Sequence, residues 1–447
     1  MGHDVRMQKT GQKIESNHPL YHFKRKVWNV HVDRHPAIIF ECKNEADVIE
    51  AVKYAQERNL KITVRGGGFH PAGKSVKDEA VLIDLSLMNH IHVDEVTKVA
   101  TVGAGAKIYE IDELTQEYGL AVPLGSCANL GVSGLALGGG LGYLRAKYGL
   151  TSDNVIAVHM VTAKGELIYV NRFEHPSLFW AIRGAGANFG VVTKFELKLY
   201  PVGQYILGID VVYDYRDVQQ ILEKVEEYRK FAVDDISFNV VITNIAPNGK
   251  GSISTVRLIG MYIGELSLEV EEKIIQPLLT LAEPITDNTE VMTYTDMQKK
   301  FDPFVQEGFA IEGISLFFDE LNQEAINILL DEFNKTDIQV TIHLLELHGQ
   351  INRISTYESA FTIRDGSYLL IVDAEIGANP EHTSKWIRQI YEKLLPYSYN
   401  KTSYLNSSHE NEEVYRNSYK CIHNTLVRLK KEYDPYNLFC SEHKLIE

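Results

Sequence analysis

Cysteine is scarce. Cys42, Cys127, Cys421 and Cys440 are the only four in 447 residues. They form no CxxC pair and match no zinc spacing, and they are too sparse for a disulfide framework. Positive charge is also in deficit, with 45 Lys and Arg against 60 Asp and Glu, a net charge of −15. Nonspecific nucleic-acid or anionic-membrane binding needs the opposite sign, so neither is expected as a partner. No run of 18 apolar residues occurs, and the opening MGHDVRMQKTGQKIESNHP has no apolar leader core. These absences lead us to expect a cytoplasmic protein without a membrane span. The mechanistic motifs are missing as well: no GxxxxGK[ST] and no GxSxG. Val102-Gly103-Ala104-Gly105-Ala106 lacks the third glycine of a dinucleotide fingerprint and no βαβ start precedes it, so a tight strand-to-helix turn is expected there. His90 and His92, and His31 and His35, pair by spacing but have no third ligand, and no metal site is expected.

What is present fits a two-domain globular chain, with 45% apolar and 23% charged residues. Residues 1–35 are polar, an arm in which Tyr21, Phe23, Val27 and Trp28 are available to pack onto the body. Residues 36–203 read as an α+β unit of short strands (AIIFECKN, ITVR, VLIDLS, VATVG) and helices (EADVIEAVKYAQERN, IYEIDELTQ), followed by a strand pair turning at Lys164-Gly165. Residues 204–425 alternate strands with longer helices. Alternation such as Ser252-Ile253-Ser254-Thr255-Val256 predicts an antiparallel sheet with one covered face. LEVEEKIIQPLLTLA reads as one helix, and a last helix over about Val414–Tyr433 stops at Asp434-Pro435.

Glycine concentrates between Leu120 and Gly149, at positions 125, 131, 134, 138–140, 142 and 149. Glycine so dense weakens element interiors and belongs where backbone turns sharply or lies against a ligand. No acidic residue interrupts the stretch. A large phosphorylated ligand would therefore be held mainly by backbone N–H groups. Two further clusters share this character: Arg65-Gly66-Gly67-Gly68-Phe69-His70, and Arg183-Gly184-Ala185-Gly186-Ala187-Asn188-Phe189-Gly190. Each alone is also compatible with a plain turn. Among the histidines of the second half, His343 and His348 lie on or after a strand, placed so that one could face a substrate.

Taken together, ITVRGGG (62–68), VLIDLS (81–86), ATVGAGA (100–106), the run from Gly119 to Val155, LFWAIRGAGANFGVVTKFEL (178–197) and KEYDPYNLF (431–439) resemble the berberine-bridge-enzyme type of FAD-linked oxidase, within the vanillyl-alcohol-oxidase-like flavoproteins. The resemblance implies a PCMH-type FAD-binding domain of two α+β subdomains at 36–203, completed by 426–447. It implies a substrate domain at 204–425 with an antiparallel sheet and flanking helices. The cofactor positions it implies are Arg65, Gly66, Gly67, Gly68, Phe69 and His70 in the first loop. In the long loop they are Pro123, Gly125, Ser126, Cys127, Asn129, Leu130, Gly131, Ser133, Gly134, Gly139, Gly142 and Asn154. Gly190, Val191 and Val192 complete the set. The implied chemistry is hydride transfer from a C–H bond of an alcohol, sugar or secondary metabolite to flavin N5, with O2 as the acceptor that reoxidises the flavin.

The chain departs from the family at several points. Many members carry a histidine directly after the third glycine, bonded to the flavin 8α carbon; here Phe69 stands there and His70 follows. Cys127 falls on the position of a second tether, a cysteine bonded to flavin C6. A cysteinyl flavin and a noncovalent one both remain open. A catalytic tyrosine after an asparagine is replaced by Ser407 after Asn406. Tyr148 is then the candidate proton acceptor, with an acid or histidine of the substrate domain as the alternative. The altered positions also raise two other functions: a structural or coat-type protein that keeps the flavin fold, or a flavin-dependent cyclase or isomerase without net oxidation.

Overall fold

The computed structural model describes residues 11–246, 252–300, 302, 308–407, 412–439 and 445. Near the N-terminus, strands Ile38–Glu41, Val81–Asp84 and Ile62–Arg65 pair in parallel, and Gln12–Glu15 adds antiparallel at the edge. Ile38–Glu41 and Val81–Asp84 are buried at every residue, as their continuous apolar runs demand. The helix Glu45–Arg58 between them starts at Asn44, whose side chain accepts from the N–H groups of Ala46 and Asp47. Its end passes through Asn59 in the left-handed region, φ 53°.

A second, five-stranded antiparallel sheet runs in the order Ile91–Asp94, Val99–Gly103, Val191–Lys198, Val155–Val161, Leu167–Asn171. The helix Ile108–Gln116 lies beside it. Both sheets share one core that also takes in Leu438, Phe439 and Leu445. The tail is held by Asp434, which is fully buried. Its carboxylate accepts from the N–H groups of Leu438 (2.8 Å) and Phe439 (2.9 Å) and from Lys430 Nζ (2.7 Å).

The other half is an antiparallel sheet in the order Pro284–Asp287, Tyr205–Asp214, Ser252–Tyr262, Ile236–Ile245, Val340–Glu346, Tyr368–Glu375, Ile311–Phe318, with Glu290–Thr293 also against Tyr205–Asp214. Helices Val218–Arg229, Gln323–Lys335 and Pro380–Leu394 cover one face, where Ile221, Leu329 and Ile390 pack with Val240, Leu344 and Leu370. The other face looks at the glycine loops of the first half.

Two helices differ from the sequence expectation. The stretch from Leu268 to Leu279 is one continuous helix that widens into a π-helical turn at Glu271–Ile275, between Leu268–Val270 and Gln276–Leu279. Pro277 causes this, because it has no N–H and its ring crowds the carbonyl four residues back. The last helix is two, Glu412–Tyr419 and His423–Tyr433. The break turns the Tyr419 hydroxyl onto the Gly184 carbonyl (2.6 Å) while Leu426 and Leu429 of the second helix enter the core. In the N-terminal arm Tyr21 and Trp28 are buried, whereas Phe23 is 71% exposed. Among the described residues no helix is long and apolar enough to cross a membrane.

Candidate active site

A cavity of about 770 Å³ separates the glycine loops from the open face of the antiparallel sheet. Its floor is backbone. Gly66, Gly67, Gly68, Phe69 and His70 line it beside Ser126, Cys127, Leu130, Gly131, Ser133 and Gly134, with Gly190 and Val192 at one side. The two loops touch directly: a Cβ on Gly131 would sit 2.4 Å from the Gly67 nitrogen, and one on Gly67 2.6 Å from the Gly131 nitrogen. Neither position admits a side chain. The helix Val132–Leu137 starts at this contact, and Gly134 has open space where a Cβ would stand.

The roof follows from strand register. On antiparallel strands, residues two apart share a face. One row across the roof is Thr243, Thr341, Asp373 and Gly313; the next is Val241, His343, Ile371 and Ser315; a third runs Asn239, Leu345, Leu369 and Phe317. Asn239, Thr243, Thr341, His343, Leu345, Leu369, Ile371 and Asp373 all line the cavity. Glu375, opposite Ile311, extends it towards the edge. His343 Nε2 lies 3.6 Å from Asp373 Oδ2. Burial pushes the His343 imidazole down to about 4 and the Asp373 carboxyl up to about 7. The imidazole is therefore neutral at neutral pH, next to a carboxyl near half-ionisation. Sequence reading named His343 only by position and missed Asp373, because the alternation marks a face but not what it looks at.

Of the residues expected at the cofactor, Arg65, Pro123, Gly125, Asn129, Gly139, Gly142, Asn154 and Val191 do not line the cavity. They support the wall. Arg65 donates to Asp84 (2.6 Å) and to the Lys26 carbonyl (2.8 Å). Gly142 lies so close to Leu124 that a Cβ would be 1.7 Å from its carbonyl oxygen. Asn154 donates to the Tyr148 and Leu150 carbonyls. Pro123, Gly125 and Val191 are buried in packing, Asn129 is exposed, and Gly139 has its α-carbon against the Phe361 ring.

Tyr148, the expected proton acceptor, lies beside this cavity rather than on its wall. Its ring stacks on Tyr200 with centroids 3.9 Å apart, and it is not among the residues lining the cavity. His348 also turns away, to Glu346 Oε2 (2.5 Å) and the Val233 carbonyl (3.0 Å). Tyr404, which the sequence reading passed over, does line the cavity. Its hydroxyl oxygen accepts from the Gly140 N–H (3.1 Å) and from Asn406 Nδ2 (3.2 Å).

The tether positions are explicit. Phe69 stacks on Trp28, centroids 4.6 Å apart, and so clamps the arm to the first glycine loop. His70 Nδ1 accepts from the Ala72 N–H (3.1 Å), which leaves Nε2 to donate to the Leu405 carbonyl (3.0 Å). Cys127 Sγ lies 3.4 Å from Asp302 Oδ1, which also accepts from the Ala128 N–H (3.0 Å). Burial, with help from that carboxylate, pushes the Cys127 thiol up to about 12.

These residues fit a phosphorylated, flat cofactor. Among the described lining residues the carboxylates are Asp373 and Glu375, both on the roof, so the glycine floor opposes no phosphate with negative charge. A glycine-rich floor under an antiparallel roof of mixed polar and apolar side chains suits a flavin nucleotide. Comparison with known proteins agrees. Residues 36–171 match the model of an FAD binding domain. An FAD-linked oxidoreductase of Dictyostelium discoideum is 32% identical over 93% of this chain and 89% of that protein. The solved 6-hydroxy-D-nicotine oxidase of Arthrobacter nicotinovorans superposes with a TM-score of 0.85 at 26% identity, covering 98% of both chains. BBE-like 1 of Physcomitrella patens superposes with a TM-score of 0.87 over 98% of this chain and 97% of that one; at 21% identity it speaks to the fold. The chain belongs to the FAD-linked oxidoreductases of the berberine-bridge-enzyme-like type. FAD is its cofactor.

Proposed function

We propose that the protein is an oxidase that takes hydride from a C–H bond next to a hydroxyl or amino group of a small polar molecule and passes the electrons on to O2. The observation that carries this reading is the single cavity in which the glycine floor and the hydrogen-bonding roof face each other. When bound, FAD accepts hydride at N5. The glycine loops and Ser133 hold the cofactor through backbone and hydroxyl groups. Thr341, Asn239 and His343 orient the substrate from above, and the apolar Leu345, Leu369 and Ile371 exclude water between them. One relative solved with a similar fold is a 6-hydroxy-D-nicotine oxidase by name, which supports an oxidase reading over a purely structural role.

The purified protein is expected to be yellow. Under anaerobic conditions, a panel of primary alcohols, aldoses and secondary amines is screened for bleaching of the flavin, with the colour returning and peroxide appearing in air. Colourless protein that cannot be reconstituted with FAD would remove the enzyme reading and leave a coat-type role. Product formation without O2 uptake would replace it with a cyclase or isomerase.

A further inference from the structure

The N-terminal arm belongs to neither half of the site, yet it joins them. We infer that the arm is a strap across one end of the cavity, that Asn29 is the positioning residue that sets the gap between floor and roof there, and that FAD is exchanged only when the strap lifts. Only FAD in the cavity is required for this; the oxidase reading is not.

The arm binds the floor first and the roof next. Arg65 Nη1 donates to the Lys26 carbonyl (2.8 Å). The Trp28 N–H donates to the Gly68 carbonyl (3.0 Å) in the first glycine loop, and the Val30 N–H to the Phe309 carbonyl (3.0 Å), just before the roof strand Ile311–Phe318. Between them Asn29 serves both sides at once. Its Nδ2 donates to the Pro71 carbonyl (2.7 Å) of the floor loop and to the Ile311 carbonyl (2.8 Å) of the roof, while Oδ1 accepts from the His31 N–H (3.1 Å). The side chain is 1% exposed. A primary amide carries two N–H donors on one atom, which is what a bridge between two carbonyls needs; a carboxylate has none.

The Trp28 ring stands in the same gap. It stacks on Phe69 of the floor, centroids 4.6 Å apart, and lies 6.4 Å from the Phe309 ring at 24°. All three rings line the cavity. The floor loop is also shaped to the arm. Gly73 has φ +62°, and a Cβ there would sit 2.4 Å from Val32 Cγ1. A strap that fixes the distance between two surfaces is coupled to the ligand held between them. Where FAD binds more tightly with the arm down, FAD holds the arm down by the same factor, so two independent measurements must return one number.

Neither measurement needs a substrate. The first is hydrogen exchange of the full-length wild-type chain, as holoprotein and as FAD-free protein from riboflavin-starved cells. The amides of Trp28 and Val30 report the lifting of the arm. FAD should slow their exchange about tenfold or more beyond any change in the helix Glu45–Arg58, which does not line the cavity. The second is the rate of FAD release, timed in a Cys127→Ala background so that the flavin is exchangeable. Asn29→Ala should release FAD about tenfold faster, since two neutral hydrogen bonds are lost. Trp28→Ala should act likewise, whereas Trp28→Phe, which keeps a ring on Phe69, should restore slow release. A tryptophan that only filled space would lower the melting temperature of FAD-free protein and leave release unchanged. The loss of FAD affinity in the double variant Trp28→Ala/Asn29→Ala should match, within about threefold, the factor by which FAD slows exchange of the wild-type arm. Arm amides that exchange equally fast with and without FAD would overturn the inference, as would release from Asn29→Ala within about twofold of its parent. Should Asn29→Ala fail to fold, the wild-type exchange comparison decides alone.

Discussion

Arg145 joins the floor of the site to its roof, and its removal gives a measurable loss. The side chain is 1% exposed. Nη1 donates to the Gly142 carbonyl (3.0 Å) in the glycine stretch. Nε and Nη2 donate to the Glu346 carbonyl (3.0 and 2.8 Å), and Nη2 reaches the Phe238 carbonyl (2.6 Å) and Asn239 Oδ1 (2.9 Å), all on roof strands. Burial lowers its pKa to about 10, which still leaves it charged at neutral pH. Arg145→Met keeps the stem and takes this donor from three acceptor groups, the Glu346 and Phe238 carbonyls and Asn239 Oδ1, while the Gly142 carbonyl still accepts from the residue 145 N–H (3.3 Å). At the low end of the cost of an unsatisfied buried group, ~1 kcal/mol each, the loss is about 3 kcal/mol. The low end is apt because the variant also escapes the cost of burying a guanidinium. Arg145→Lys keeps the charge but offers three donors and no planar fork, so it should recover only part. The assay is urea unfolding followed in parallel by flavin release and by far-ultraviolet circular dichroism. Flavin release should move to lower urea with, or ahead of, the loss of structure. A change below about 1 kcal/mol in Arg145→Met, within the spread of ordinary surface substitutions, would refute the claim that these bonds couple the two halves.

Four further outcomes follow from the same geometry. Gly131→Ala should purify colourless or nearly so, because its Cβ would fall 2.4 Å from the Gly67 nitrogen; normal FAD content measured by absorbance would show that the loop contact is dispensable. After acid precipitation, any flavin that stays with the protein should be lost in Cys127→Ala and unaffected in His70→Ala, whose ring is already engaged on both nitrogens; retention in Cys127→Ala would contradict this. Asp302→Asn in FAD-free protein should make Cys127 react faster with a thiol reagent at pH 8, as a neighbouring negative charge is removed, and an unchanged rate would assign the high thiol pKa to burial alone. Asp112 is wholly buried, accepts from Gln298 Nε2 (3.0 Å), and has its carboxyl pushed up to about 7 by burial. Since its folded pKa is raised, stability is lost as pH climbs from the unfolded value near 4 to about 7, by up to about 4 kcal/mol at ~1.36 kcal/mol per unit. Asp112→Asn should therefore raise the melting temperature at pH 8 and leave it unchanged at pH 4; equal shifts at both would sink the assignment.

The floor of the site was legible in the sequence and the roof was not, and the difference is physical. Gly67 and Gly131 are needed because two backbones touch, Gly66 because Ser133 Oγ stands where a Cβ would be, and Gly68 because its φ is +69°. The demand is local and shows in the sequence. The same locality made Glu45–Arg58 and the Lys164-Gly165 turn readable. The N-terminal strand Gln12–Glu15 was not readable, because four residues of polar chain become a strand only when Ile38–Glu41 offers an edge. The surroundings of Tyr148 were unreadable for a related reason. A ring that stacks on Tyr200, fifty-odd residues away in sequence, leaves no mark in the residues around it.

The roof is decided by register between distant strands. His343 and Asp373 meet because Val340–Glu346 pairs with Tyr368–Glu375 so that Thr341 stands opposite Asp373 and His343 opposite Ile371. A slip of one residue would turn both side chains into the apolar layer under the helices, where Val372 and Ile342 now lie. That layer holds the register: Leu344, Leu370, Val372 and Ile342 are all buried against helices, and each would be expelled by the same slip. The polar face is therefore specified by the apolar one behind it. A substitution such as Val372→Asp, far from any reacting atom, should disturb the site as surely as one on the roof itself. It would first place a charge in the covered layer, and the strand would escape that cost only by losing the row that carries Asp373.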